Sequence, residues 1–101
     1  MSKLQAIVIN NLDNVATAVT NLEAGSTVIL FIDENRVTVK LREAISLGHK
    51  FSITQIEANS SIIKYGEVIG YATEPIEAGE HVHVHNVLGN RGRGDLSKES
   101  T

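Results

Sequence analysis

DNVATAVTNLEAGSTVIL (residues 13–30) and EVIGYATEPIEAGEHVHV (67–84) align without a gap at a constant offset of 54. Ala18/Ala72, Glu23/Glu77, Ala24/Ala78, Gly25/Gly79 and Val28/Val82 are identical, and Val15/Ile69 and Leu22/Ile76 match in kind. In both copies Glu-Ala-Gly leads into a strand-like run. A glycine at that point suits a turn needing positive φ or a close backbone approach, and the run after it suits a strand. A third stretch, ISLGHKFSI (45–53), keeps the pattern apolar-x-x-Gly-x-x-apolar. A repeated turn-and-strand unit predicts a pseudo-symmetric β domain in which each half covers the other's apolar face.

The rest of the chain agrees with that pattern. LQAIVI, TVILFI, RVTVKL, KFSITQI, SIIKYG and HVHVHNV are short, rich in β-branched residues and separated by turn formers. Gly25, Gly48, Gly66, Gly70 and Gly79 punctuate them, and Asp33-Glu34-Asn35 is expected to close a hairpin. NVATAVTNLEA (14–24) has two open assignments, helix by propensity or a strand followed by a turn. An all-β domain over residues 1–88 is expected, followed by a polar, glycine-rich tail, 89–101, that should be disordered. The RGRGD of that tail offers two guanidiniums to an anion or acidic surface, against the simpler role of a solvated terminus.

Composition excludes several functions. One hundred and one residues build one core and bury roughly two-thirds of the unfolded surface, too little to enclose a deep pocket as well. A binding module or subunit is therefore favoured over a complete enzyme. A net charge of −3 speaks against nucleic acid, because phosphate binding needs a basic face. With no cysteine there is neither a disulfide nor a thiolate metal site, and no apolar run approaches a membrane span. A cytoplasmic protein is expected. Open strand edges leave a route to homo-oligomers.

The chemistry concentrates in GEHVHVHN (79–86), where His81, His83 and His85 alternate. On a straight strand these three share a face, with neighbours about 6.6 Å apart, while Val82 and Val84 point to the core. Two adjacent histidines can then meet at one metal; the outer pair, about 13 Å apart, cannot. A fuller site needs a bulge, His49, or ligands from another chain. Imidazole also serves as a general acid or base near neutral pH, with His83 at the centre of the set. The plainer account makes the three residues the wet side of a strand. The repeat weakens it, because the first copy has Thr27, Ile29 and Phe31 at the equivalent positions. His49 either faces the same site or caps its own turn, and Asn86 either fixes a tautomer or substrate hydroxyl or ends the strand. Lys64, Tyr65 and Glu67 are expected to be structural, with Tyr65 packed. No Asp/Glu cluster adjoins the histidines in the sequence.

LGHKFSI, followed by SIIKYGEVIGYATEPIEAGEHVHVHN, resembles the N-terminal SAF-type domain of the altronate and galactarate dehydratase family, and the likeness runs from LDNVATAV to HVHVHN. That resemblance implies a β-clip fold of short, bent strands. It implies a small domain or subunit that contributes one wall of the active site to a separately encoded large catalytic chain. The implied chemistry is β-elimination of water from a sugar acid, with a divalent metal, iron above all, in the complete enzyme and none tightly bound by this chain alone. The resemblance strengthens the reading of His81, His83 and His85 as catalytic candidates and of His81 and His83 as metal candidates. His49, Lys50 and Asn86 are the substrate-binding candidates, with Lys50 on a carboxylate. A sister branch, sulfolactate sulfo-lyase, expels sulfite instead. A stand-alone module binding a carbohydrate acid or a regulatory partner is the remaining alternative.

Overall fold

Four short turns, not three, organise the chain. The computed structural model describes residues 5–89. Leu22–Gly25, Ile45–Gly48, Ile56–Asn59 and Ile76–Gly79 each begin with a buried apolar side chain and end with a residue at positive φ, between 72° and 90°. In each turn the next residue's N–H bonds back to the second residue's carbonyl: Ser26 to Glu23, His49 to Ser46, Ser60 to Glu57 and Glu80 to Glu77. The left-handed residue then donates to a strand end: Gly25 to Leu41, Gly48 to Ala18, Asn59 to Ala72 and Gly79 to Ser52. The third unit in chain order, IEANSSI (56–62), lacks the glycine that marks the other three. Asparagine holds that slot because its short polar side chain tolerates left-handed backbone.

The turns pair through the isolated bridges Leu22↔Ile45 and Ile56↔Ile76, which gives the domain its internal pseudo-symmetry. Three residues beyond each left-handed position lies Val28, Phe51, Ile62 or Val82, all buried. Leu22, Val28, Ile45 and Phe51 belong to one core cluster, and Ile56, Ile62, Ile76 and Val82 to a second. The apolar-x-x-Gly-x-x-apolar spacing therefore places both of its apolar ends inside, across a turn that reverses the chain.

All nine strands among the described residues pair antiparallel, and none of these residues is helical. One sheet has the order β1 (Ala6–Ile7), β2 (Val15–Ala18), β5 (Lys50–Ser52), β8 (His81–Val82). β3 (Thr27–Ile32) and β4 (Asn35–Lys40) form a hairpin closed at Asp33, whose φ is 57°. β6 (Ser61–Lys64), β7 (Glu67–Ala72) and β9 (Val87–Gly89) form the third sheet. The fold is the all-β, β-clip arrangement of short, bent strands that the sequence leads one to expect. Over 14–24 the strand assignment holds at its N-terminal end, because Val15, Ala16 and Ala18 are buried within the four-stranded sheet. Gly70 is not a turn but lies inside β7, where a Cβ would meet the Leu88 carbonyl oxygen of β9 at 2.6 Å. The tail expected over 89–101 lies outside the described residues except for Gly89, which ends β9.

Asp13 and Asn14 fasten the two halves together. Buried Asp13 accepts the Gly66 N–H at 2.8 Å through Oδ1. Asn14 donates from Nδ2 to the Ser61 carbonyl and accepts the Ile63 N–H. The hairpin tip they support carries Tyr65, which is 55% exposed instead of packed, with the Lys64 ammonium 3.4 Å from its ring centroid.

Candidate functional site

The histidine stretch is not one straight strand. β8 ends at Val82, residues 83–86 turn, and β9 begins at Val87. Val82 points inward, at 3% exposure, whereas Val84 is 82% exposed. Alternation of Val82 and Val84 into the core is thus corrected: the turn breaks the period of two before Val84 is reached.

The turn compensates for the lost strand face. The His81 and His83 rings stack at 5.2 Å between centroids, and His85 lies 5.4 Å from His81. All three therefore stay close to one another, with His81 at the centre of the set instead of His83. His49 joins from the position just before β5. The pairs Phe51↔His81 and Lys50↔Val82 bring His49 level with His83, and their centroids are 4.8 Å apart. His49 Nδ1 and His81 Nε2 are 2.8 Å apart, a distance at which one ring donates and the other accepts. His49 does not merely cap its turn, because its ring points into the cluster.

His49, His81 and His83 each present a ring nitrogen, and these three atoms lie within 4.8 Å of one another. Nitrogens sharing an ion at about 2.0–2.1 Å sit roughly 3–4 Å apart, so small side-chain rotations would close the set around one ion. Neutral imidazoles without a thiolate suit zinc, iron or nickel. The donor set therefore fits a divalent metal, and it leaves coordination positions for other ligands.

His81 is the electrostatic centre. Partial burial pushes its pKa below the ordinary 6.5, as do the neighbouring His49, His83 and His85, while Glu43 opposes the shift. Its imidazole is therefore held neutral at neutral pH. Glu43 was not expected here, since it lies 38 residues away in sequence, yet its Oε2 accepts the His81 N–H at 2.9 Å. The local sequence around the histidines contains no sign of it.

A half-open cleft of about 270 Å³ adjoins the cluster, with Lys50 and His83 among its lining residues over a floor that includes Ile62, Ile69 and Val82. Lys50 thus stands where a ligand carboxylate beside the histidines would meet a positive charge. Asn86 does not line it. At 3% exposure it is buried, and both ends of its amide bond to the chain's own backbone, so the expected contact to a substrate hydroxyl is replaced by a contact within the turn.

Residues 4–90 match the family model for the altronate/galactarate dehydratase SAF domain. The altronate dehydratase of Escherichia coli (strain K12) is 45% identical over 87 residues, 86% of this chain but 17% of that protein. That of Bacillus subtilis (strain 168) is 37% identical over 84 residues, 83% of this chain and 16% of that protein. The (2R)-sulfolactate sulfo-lyase subunit alpha of Chromohalobacter salexigens is 37% identical over 75 residues, covering 72% of this chain and 80% of that subunit. The chain thus spans under a fifth of the dehydratases and most of the sulfo-lyase subunit.

Proposed function

The chain belongs to the altronate/galactarate dehydratase SAF-domain family, and we propose that it acts as the small subunit of a hydroxy-acid dehydratase, forming one wall of an active site that a large catalytic chain completes. The observation that carries this reading is the convergence of His49, His81 and His83 within 4.8 Å beside an open cleft. The small share of the dehydratases that the chain covers supports the need for a further catalytic region.

β-Elimination removes a proton from the carbon next to the carboxylate and expels a hydroxyl from the following carbon. It needs a proton acceptor and an acid or Lewis acid on the two sides of the bond. His81, held neutral by burial and by its histidine neighbours, keeps a lone pair available at neutral pH. His83 is exposed and lines the cleft, so an ion held there faces the substrate; His85, 5.4 Å from His81 and outside the metal set, is the residue assigned to proton transfer. Lys50, also on the cleft, holds the substrate carboxylate by charge. A divalent ion, iron in this proposal, would be held by His49, His81 and His83 and would supply Lewis-acid polarisation of a substrate oxygen.

Reconstitution with a large chain of the same family tests the reading. The isolated chain should turn over neither altronate nor galactarate above a metal-only blank, and the assembled pair should. His83→Ala should lower kcat of the pair by about 10²-fold, because the ion that polarises the substrate loses one of its three protein ligands. Turnover by the chain alone, or full activity of the His83→Ala pair, would refute it. A second reading, a sulfolactate sulfo-lyase subunit, is favoured by the 80% coverage of the alpha subunit. Release of sulfite from sulfolactate, without water loss from sugar acids, would select it.

A further inference from the structure

Asn86 connects the backbone of the histidine turn to itself. Its Nδ2 donates to the His81 carbonyl at 2.8 Å and its Oδ1 accepts the His83 N–H at 3.0 Å. Its own N–H returns to the His83 carbonyl at 3.0 Å, and its carbonyl accepts the Thr73 N–H at 2.9 Å. The side-chain amide thus takes up a carbonyl and an N–H that a continuing strand would offer to a neighbour. β8 stops after two residues, Val84 swings out to solvent, and His83 comes round onto His81 and His49.

We propose that Asn86 is the positioning residue of the histidine cluster: its buried amide fixes the 81–86 turn and so presets His83 against His49 and His81. The inference rests on the reading of those three residues as a metal-holding set, and it concerns how the set is pre-formed. A carboxamide offers a donor and an acceptor side by side in one rigid plane. Aspartate keeps the acceptor and places a second oxygen against the His81 carbonyl; alanine removes both contacts. The turn would then be free to relax, and the ligand nitrogens would no longer start within reach of one ion. Loss of such an outer support typically lowers metal affinity 10–100-fold.

The test uses the 101-residue chain, its Asn86→Ala and Asn86→Asp variants, and Ile76→Val as a control that weakens the core cluster shared with Val82 but leaves the turn's own hydrogen bonds in place. Two readouts are taken well below every melting temperature. The first, without metal, is the ring-proton chemical shifts of the four histidines, which stacking displaces from free-imidazole values. Both Asn86 variants should move the His83 shifts toward the free values, and Ile76→Val should leave them in place. The second is calorimetric titration with Zn²⁺, in which both Asn86 variants should bind at least about 10-fold more weakly than the parent and Ile76→Val within about 2-fold. Unchanged His83 shifts in either folded Asn86 variant overturn the inference, as does an equal loss of affinity in Ile76→Val. A parent that binds no Zn²⁺ overturns the metal-holding premise, and the metal-free shifts then judge the role of Asn86 in ring placement by themselves.

Discussion

Gly25 and Gly79 occupy the same position in the two copies of the repeat, yet alanine should have very different effects at the two. Both sit at positive φ, 85° and 90°, where an L-residue with a Cβ costs about 1–2 kcal/mol. Part of this is offset, because alanine also reduces the entropy of the unfolded chain by about 0.4–1 kcal/mol. At Gly25 that is the whole effect, since no atom lies within 4 Å of a Cβ built there. Gly25→Ala should therefore destabilise by about 1 kcal/mol. At Gly79 the Cβ would press on the Lys40 carbonyl oxygen, inside the 3.0 Å that real Cβ atoms essentially never cross, and would lie 3.1 Å from the Leu41 Cα. These are backbone atoms at the end of β4, so no side chain can rotate away. Relief requires the two segments to part, which strains the bonds from Gly79 N–H to Ser52 and from Arg42 N–H to the Gly79 carbonyl. Overpacking adds about 1–3 kcal/mol, and each weakened bond up to about 1 kcal/mol. Gly79→Ala should thus cost about 3–5 kcal/mol, some 2–4 more than Gly25→Ala. For a domain of this size the two melting temperatures should differ by about 10 °C or more. Urea and thermal denaturation of the two variants side by side measure the gap. Equal losses would refute the steric reasoning and make the two turns energetically equivalent.

Val82→Ala should destabilise by about 1–3 kcal/mol through lost burial and a cavity, whereas Val84→Ala and His83→Ala should stay within about 0.5 kcal/mol; denaturant midpoints of the three decide, and a large loss at Val84 would restore the continuous strand. Acid should weaken the fold through His81. Its folded pKa is lowered from 6.5, so the unfolded chain binds more protons at this residue as the pH falls through 6.5 toward the folded value. The associated stability is complete above about pH 6.5 and declines below it. His81→Gln should therefore flatten the pH dependence of the urea midpoint between pH 7.5 and 5.5, and an unchanged slope would exclude His81 as its source.

How much of this molecule could be read from its residues follows from the range of the interactions concerned. The all-β class, the repeated turn and the inward ends of each unit were legible, because positive φ and β-branched side chains act over a few residues. A glycine-based pattern does not mark IEANSSI, although Asn59 meets the same backbone requirement. The alternation of His81, Val82, His83 and Val84 was equally plain in the sequence and pointed Val84 the wrong way. A local period holds only while a strand continues, and Asn86, through two side-chain hydrogen bonds, ends this one after Val82. His49 and Glu43 come to His81 from 32 and 38 residues away. The β5–β8 register that brings in His49 is set by how Phe51 and Val82 fill their cores, and no short-range pattern encodes it. The sequence by itself determined which residues can carry the chemistry and which turns the chain can make. Tertiary structure decided which of those residues meet, because strand pairing and buried hydrogen bonds, not spacing along the chain, set the distances between them.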